Sequence, residues 1–201
     1  MYVPGPENYV AEGFVNHNTG VGKGRVCAAV IKFANLQGKI PIFVTANGGL
    51  FSDIMRDMRG IGYNIKPFIM NSGGKEDPAT IIDKATGEIL IKANSVEAKG
   101  SAYRGGRVHW ADINANPEQY MRDNGFNAVF TTYSQHRAVR ATPKESLINQ
   151  LAVDNYMILD ESHKAAGDAA GGSSNTMAYF SGVLQTVRAV LYSSATYAKT
   201  P

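Results

Sequence analysis

Apolar positions along the chain alternate between two periodicities, one typical of buried strands and one of amphipathic helices. Short runs of β-branched and aromatic residues predict strands at residues 40–45, 65–70, 128–133, 156–159 and 189–192. Helical periodicity predicts helices at residues 25–37 and 50–61, from Pro117, from Pro143 and around residues 180–187. Residues 1–13 are expected to be an irregular lead-in, followed by a short strand at 13–15. This alternation predicts an α/β fold, a mostly parallel sheet covered by helices on both faces.

The alternation is interrupted at residues 72–112, where no comparable helix is predicted. Two apolar runs, 80–83 and 88–91, flank a polar link, which is typical of a β-hairpin. Basic and aromatic side chains then follow among glycines, namely Tyr103, Arg104, Arg107, His109 and Trp110. We interpret residues 72–112 as a hairpin-bearing insertion within one domain that spans residues 1–201.

Residues 19–25, Thr-Gly-Val-Gly-Lys-Gly-Arg, have the composition of a phosphate-binding loop. Glycines let the backbone turn tightly and point successive N–H groups at one anion. The loop precedes the first long helix, where the helix dipole favours negative charge, and Lys23 adds a mobile positive charge for the outer phosphates. The predicted nucleotide-binding residues are Thr19, Gly20, Val21, Gly22, Lys23, Gly24 and Arg25.

The loop departs from the standard pattern at both ends. His17 stands where the first glycine is usual, and Gly24 stands where a Ser or Thr usually holds Mg²⁺. Taken alone, the loop leaves open a second interpretation, a glycine-rich turn from strand to helix that binds nothing.

A second group of polar residues, Asp160-Glu161-Ser162-His163, follows the buried strand 156–159. Ligands of parallel α/β sheets gather at the carboxyl ends of the strands, which is also where a phosphate loop leaves its strand. Asp160 can hold Mg²⁺ through water, and Glu161 can orient and deprotonate an attacking water. The alternative is a solvated strand end, and the phosphate loop favours the catalytic interpretation.

The last predicted strand runs into Ser193-Ser194-Ala195-Thr196. Small hydroxyl residues at a strand end can form hydrogen bonds that connect the acidic pair, Asp160 and Glu161, to a neighbouring element that moves. The tripeptide 194–196 is by itself weak evidence for a functional site. Its position, one helix and one strand after the acidic residues, supports that interpretation.

The composition of the chain limits which partners, metal sites and disulfide bonds can be expected. The net charge of +3 is too small to indicate nucleic-acid binding by itself. Cys27, the single cysteine, excludes an intramolecular disulfide and is expected to be buried in a helix. The four histidines lack the spacing of a zinc site, and no apolar run is long enough to span a membrane. We also expect Asp53 and Asp57 to lie on a solvent-exposed helix face.

The motifs TGVGKGR, TANGGLFSDIMRDMRGIG, FTTYSQ, LDESH and YSSAT occur in the order found in the first motor lobe of superfamily 2 helicases. The element DESH resembles the DExH box of that group. Within the superfamily the chain resembles the strawberry notch type, whose loop is also written GVGKGR with glycine after the lysine. The resemblance covers residues 14–71 and 117–200, and it implies a RecA-like P-loop NTPase lobe.

The resemblance also implies a role for each matching residue. Lys23, Asp160 and Glu161 would bind and hydrolyse ATP with Mg²⁺, and Asp160 would hold the metal through water. His163 would couple the nucleotide state to the lobe interface, and Ser194 and Thr196 would link hydrolysis to movement. Predicted nucleic-acid contacts follow two strand ends and the insertion, at Thr45, Asn47, Thr132, Tyr133, Arg104 and Arg107.

Two classes of function remain open. The first is the ATP-binding lobe of a DNA or RNA helicase or translocase, an ATP hydrolase that is nearly inactive without a second lobe in the same or another chain. The second is a nucleotide- or nucleic-acid-binding module without turnover, such as a phage anti-restriction component. DNA is preferred to RNA as the partner, no membrane is expected, and the location would be cytoplasmic, or nuclear in a eukaryote.

The basic and aromatic residues of the insertion also have two interpretations. Arg104 and Arg107 can pair with phosphates, and Tyr103 and Trp110 can stack on bases. The alternative is a solvated loop that Trp110 anchors to the body of the domain. Arg137 and Arg140, after FTTYSQ, could likewise touch a phosphate backbone.

Overall fold

The computed structural model describes residues 8–11, 14–17, 22–70, 80–82, 89–92, 103–104, 107–108, 110–136, 142–162 and 175–194. The strands are β1 (Asn8–Ala11), β2 (Phe14–His17), β3 (Ile42–Thr45), β4 (Pro67–Ile69), β5 (Thr80–Ile82), β6 (Ile89–Lys92), β7 (Tyr103–Arg104), β8 (Arg107–Val108), β9 (Ala128–Thr132), β10 (Tyr156–Asp160) and β11 (Ala189–Ser193). The helices are α1 (Lys23–Leu36), α2 (Phe51–Gly60), α3 (Trp110–Ala115), α4 (Pro117–Asp123), α5 (Pro143–Ala152) and α6 (Asn175–Val183).

The centre of the fold is a five-stranded sheet in the order β11-β10-β3-β9-β4. All four pairings within it are parallel. Each strand coincides with one of the five predicted apolar runs. The predicted α/β fold with a parallel sheet is therefore confirmed.

Helices cover both faces of this sheet, as predicted. On one face, α1 and α2 pack on Phe43, Phe130 and Ile158. On the other, α3 to α6 pack on alternate positions of the same strands, including Val129 and Met157. Because both faces are covered, the strands have apolar residues at consecutive positions and not only at every second residue.

Helix α1 is less buried than its composition predicts. It is buried along one side, at Cys27, Ala28, Ile31 and Ala34, whereas Leu36 is 71% exposed. The helix ends at Leu36, two residues before Gly38. Gly38 has φ of +72°, a conformation that glycine adopts without a steric penalty, and its N–H donates to the carbonyl of Asn35 at 2.9 Å.

In the part of the chain that the structure describes, three antiparallel strand pairs lie outside the parallel sheet. The predicted hairpin is present as β5 paired with β6, and its link, residues 83–88, falls outside the described residues. A second hairpin joins β7 to β8. The third pairs β1 with β2. Residues 8–11 are therefore a strand, and the expectation of an entirely irregular lead-in was wrong there.

Trp110 is a structural residue. It begins α3 and packs against the core, with its ring edge-to-face on Phe68 at a centroid distance of 6.3 Å. The expectation that Trp110 helps to grip nucleic acid is replaced by the alternative in which it anchors this part of the chain.

Among the helices that the structure describes, none is both long enough and apolar enough to cross a membrane.

Candidate nucleotide-binding site

The N-terminus of α1 has the features of an anion site. Gly22 is the N-cap residue and has no side-chain oxygen that could accept from the first-turn N–H groups. Lys23 is the first helical residue and is partly exposed, Arg25 is exposed, and the first turn contains no acidic residue. The described half of the predicted loop thus presents backbone donors and positive charge together. The other half, Thr19, Gly20 and Val21, lies outside the described residues.

Asp160, the last residue of β10, is held by hydroxyl groups from three neighbouring strand ends. Its Oδ1 accepts a hydrogen bond from Ser193 Oγ at 3.0 Å, and its Oδ2 accepts one from Thr45 Oγ1 at 3.3 Å. The phenolic hydroxyl of Tyr133 donates to the backbone carbonyl of Asp160 at 3.0 Å. The ends of β3, β9 and β11 therefore converge on one residue at the end of β10, and two of them reach its carboxylate.

The surroundings of Asp160 suit a cation. Burial raises the pKa of Asp160, the hydrogen bond from Ser193 lowers it, the negative charge of Glu161 raises it, and the hydrogen bond from Thr45 lowers it, with a net rise. A raised carboxyl pKa means that the negative charge lacks compensation, which a positive ion at the site would supply.

The donor set fits Mg²⁺. Each oxygen of Asp160 accepts a hydrogen bond from one hydroxyl group, and the backbone of Glu161 also hydrogen-bonds the carboxylate. A carboxylate has about four acceptor positions, so one remains for a water or a metal ion. Within the described ranges no three His, Cys, Asp or Glu side chains are grouped to hold a metal by themselves. Mg²⁺ in nucleotide sites is usually held by one or two carboxylates, with substrate phosphates and water as the other ligands, and Asp160 fits that pattern.

Glu161 directly follows this strand end and adopts an unusual backbone conformation. Its φ is +51°, in the left-handed region that side chains other than glycine rarely enter. Such strain persists only where the surrounding structure enforces it, and it is concentrated at functional sites. The predicted water-activating residue is therefore at a sharp turn beside the carboxylate of Asp160. His163, predicted to couple the site to a second lobe, lies outside the described residues.

Cys27 connects α1 to the acidic strand end. The residue is 1% exposed, which confirms the prediction that it is buried. Burial raises the pKa of its thiol to about 12, the negative charge of Asp160 also raises it, and a hydrogen bond with Ser193 lowers it. The thiol is consequently uncharged and unreactive. Cys27 lies one helical turn after Lys23, and it contacts Ser193, which hydrogen-bonds Asp160. The start of α1 therefore lies next to Asp160.

Most of the predicted nucleic-acid residues on strand ends are buried. Thr45 is fully buried, Thr132 is 7% exposed and Tyr133 is 4% exposed, with the ring of Tyr133 packed on Phe180. In this structure Thr45 and Tyr133 bind Asp160. Asn47 is exposed, and its Oδ1 accepts from Gly49 N at 3.0 Å. Arg104 and Arg107 lie in β7 and β8. Contact with nucleic acid stays a prediction for this set.

Ser193 contacts the candidate site through Asp160, and the sequence interpretation did not select it. It chose Ser194 and Thr196, of which Ser194 is described and partly buried, and Thr196 lies outside the described residues. The parallel register pairs Asp160 with Ser193. Aligning the two apolar runs YMILD and AVLYS by their ends would have revealed this pair.

The parallel sheet, the glycine-rich start of α1 and the acidic strand end together define a P-loop NTPase. The comparison of families agrees, because residues 7–201 match the model of the family described as P-loop containing NTP hydrolase pore-1. The chain belongs to that family, whose description indicates nucleotide binding and hydrolysis. No curated protein matches the chain significantly.

The buried charge of Asp160 gives a first prediction, on stability. Because the folded state raises its carboxyl pKa, ionisation at neutral pH destabilises the fold, and stability from this group increases as pH falls through the raised pKa. We expect Asp160→Asn to raise Tm in EDTA at pH 7, by roughly 2–4 °C for each kcal/mol of destabilising free energy that the substitution removes. The increase in Tm should be smaller at acidic pH, where the carboxyl group of the wild-type chain is protonated. Thermal unfolding followed by circular dichroism measures both.

Asp154→Asn is the matched control. Asp154 is exposed, and its pKa is lowered by the hydrogen bond from Lys39, so its ionised form stabilises the fold. The control should lower Tm or leave it unchanged. A decrease of Tm at pH 7 in Asp160→Asn would contradict the prediction.

Proposed function

We propose that the chain is the ATP-binding first motor lobe of a superfamily 2 helicase or translocase of the strawberry notch type. The observation that carries the proposal is the convergence on Asp160. Hydroxyls from β3 and β11 hold its carboxylate, and Cys27 of α1 contacts the same group of side chains. The phosphate loop, the DExH-like element and the Ser-rich strand end are therefore supported as parts of one site.

In this proposal each residue has a distinct task. Lys23 and the first-turn N–H groups of α1 bind the β- and γ-phosphates of ATP. Asp160, kept in one orientation by Ser193 and Thr45, would hold Mg²⁺, which when bound would neutralise charge on the phosphate oxygens. Glu161 orients the attacking water and accepts its proton.

The lobe contains only part of the proposed machinery. His163 and the segment 194–196 would transmit the nucleotide state to a second lobe, in the same or another chain, that supplies arginine to the cleft. Arginine fingers contribute on the order of 10³–10⁵ to the rate of phosphoryl transfer. The isolated lobe should therefore bind ATP and hydrolyse it slowly.

We also propose nucleic acid, DNA in preference to RNA, as the partner. Support comes from two adjacent strand ends: Asn47 follows β3, and Ser134 follows β9, which pairs with β3. Both residues are exposed, and Thr132 Oγ1 lies 2.9 Å from Ser134 Oγ. Amide and hydroxyl side chains commonly contact the phosphates and sugars of nucleic acids. Arg104 and Arg107 would add charge.

The second prediction tests the proposed function on the purified 201-residue chain. A fluorescent ATP analogue should bind, and binding should strengthen with Mg²⁺. Phosphate release should stay below about 1 s⁻¹, since the arginine fingers are worth several orders of magnitude. Single-stranded DNA should bind without raising that rate. Turnover above about 1 s⁻¹ would show that the chain needs no second lobe, and the absence of nucleotide binding would contradict the whole proposal.

A further inference from the structure

The position after the loop lysine has an unusual neighbour. A Cβ atom built on Gly24 would lie 1.8 Å from Asp57 Oδ2 and 3.0 Å from Asp57 Cγ. Real Cβ atoms do not approach other atoms so closely, so the carboxylate of Asp57 occupies the space that any side chain at position 24 would need. In a standard P-loop that space holds the Ser or Thr whose hydroxyl reaches Mg²⁺.

Asp57 does not lie on a solvent-exposed face, which corrects the expectation from helical periodicity. Asp53, Arg56 and Arg59 are exposed on α2, whereas Asp57 is half-buried. Burial raises the pKa of Asp57, the charges of Arg25 and Arg56 lower it, and Asp53 raises it, with a net rise. A partly exposed carboxylate thus lies next to the first turn of α1.

Asp57 and Asp160 approach the same part of α1. The pKa of the Cys27 thiol is raised by the negative charges of both carboxylates, by Asp160 more than by Asp57. Cys27 follows Gly24 by three residues, so the two lie on one face of the helix. Both carboxylates therefore act on one thiol, less than one helical turn after Gly24.

We propose that Asp57 is the positioning residue that replaces the missing P-loop hydroxyl, holding the hydrated Mg²⁺ of the bound nucleotide from α2. The inference rests on the proposed nucleotide site. It explains why Gly24 is glycine: a side chain there would displace the carboxylate. It also assigns a chemical role to α2, which would link this helix directly to the nucleotide.

The third prediction compares nucleotide affinity with Mg²⁺ and with EDTA for the wild-type chain and for Asp57→Asn. A carboxylate that holds the hydrated ion helps when Mg²⁺ is present and repels phosphate when it is absent. The ratio of the two affinities should therefore fall by about 10-fold or more, as for other groups that support a metal through its ligands. Binding of a fluorescent ATP analogue measures both affinities.

Asp53→Asn is the matched control, because Asp53 lies one turn earlier on α2, is exposed and pairs with Arg56 at 3.3 Å. It removes the same charge from the same helix and should leave the ratio within about twofold of wild type, as screened surface charges do. A wild-type ratio in Asp57→Asn would overturn the proposal and leave the nucleotide site standing. Failure of the wild-type chain to bind nucleotide would overturn both.

Gly24→Ala provides an independent variant that retains the charge of Asp57. The new methyl group forces the carboxylate away from its place, so the Mg²⁺-to-EDTA ratio should fall as it does in Asp57→Asn. Any effect on phosphate affinity common to both conditions cancels in the ratio. Combined with Asp57→Asn, Gly24→Ala should cause no further decrease, because both act through the same group. Additive decreases, or a wild-type ratio in Gly24→Ala, would refute the proposed role.

Discussion

Replacing Lys23 with alanine is expected to reduce the affinity for nucleotide by about 100-fold, the effect of losing a charge-assisted contact to phosphate. Lys23 is the first residue of α1 and is partly exposed, whereas the buried side of the helix begins at Cys27. The substitution therefore removes charge without opening the core. Titration of a fluorescent ATP analogue measures the loss, and circular dichroism should show an unchanged fold.

Lys32→Ala is the matched control for this prediction. Lys32 lies on the same helix, and its Nζ is 5.8 Å from the ring centroid of Tyr63, on α2's side of the fold. This variant also removes one positive charge from α1, and it should keep wild-type affinity. Unchanged affinity in Lys23→Ala would show that the glycine-rich turn does not bind phosphate, which is the alternative that the sequence left open.

The strands and helix starts of this chain could be predicted because their signals are local. The run at residues 156–159 is apolar at every position, as a strand covered on both faces must be, and it forms β10. Pro143 begins α5 as predicted, since Thr142 and Glu145 form a capping box around it. Proline and the capping pair are close together in the sequence, so the start of this helix can be predicted from local residues alone.

The proposed role of Asp57 could not be predicted, because periodicity distinguishes only the sheet-facing side of a helix from the other sides. On α2 the residues facing the sheet include Ile54 and Met58, and Asp57 falls among the polar positions. Its burial comes from α1, which packs alongside α2, and from the missing side chain at Gly24. A helix–helix contact made possible by one glycine leaves no pattern in the sequence of α2.

Tyr133 shows the same limit at a strand end. A tyrosine after Thr131-Thr132 is a reasonable candidate for an exposed contact, but here the ring packs on Phe180 of α6 and the hydroxyl reaches Asp160. The acidic pair Asp160-Glu161 and the end of β9 at Tyr133 are far apart in the sequence. Only the neighbouring positions of β9, β3 and β10 in the sheet bring them together.

The second large effect is expected from Glu161→Gln, which should stop hydrolysis and preserve binding. A general base acts only as the water attacks, so the ground-state complex should not be affected by its loss. In the presence of the proposed second lobe, turnover should fall by about 10²–10⁴-fold while the affinity for ATP changes by less than about threefold. Phosphate release and nucleotide titration on the same preparation measure the two quantities.

Glu161→Gly separates the chemical role of this residue from its structural role. The backbone of Glu161 has φ of +51°, which glycine adopts without strain, so this variant should unfold at a temperature equal to or above that of Glu161→Gln. Both variants lack the carboxylate and should lose turnover to the same extent. If Glu161→Gln loses binding and turnover equally, the side chain holds the strand end in shape and does not activate water.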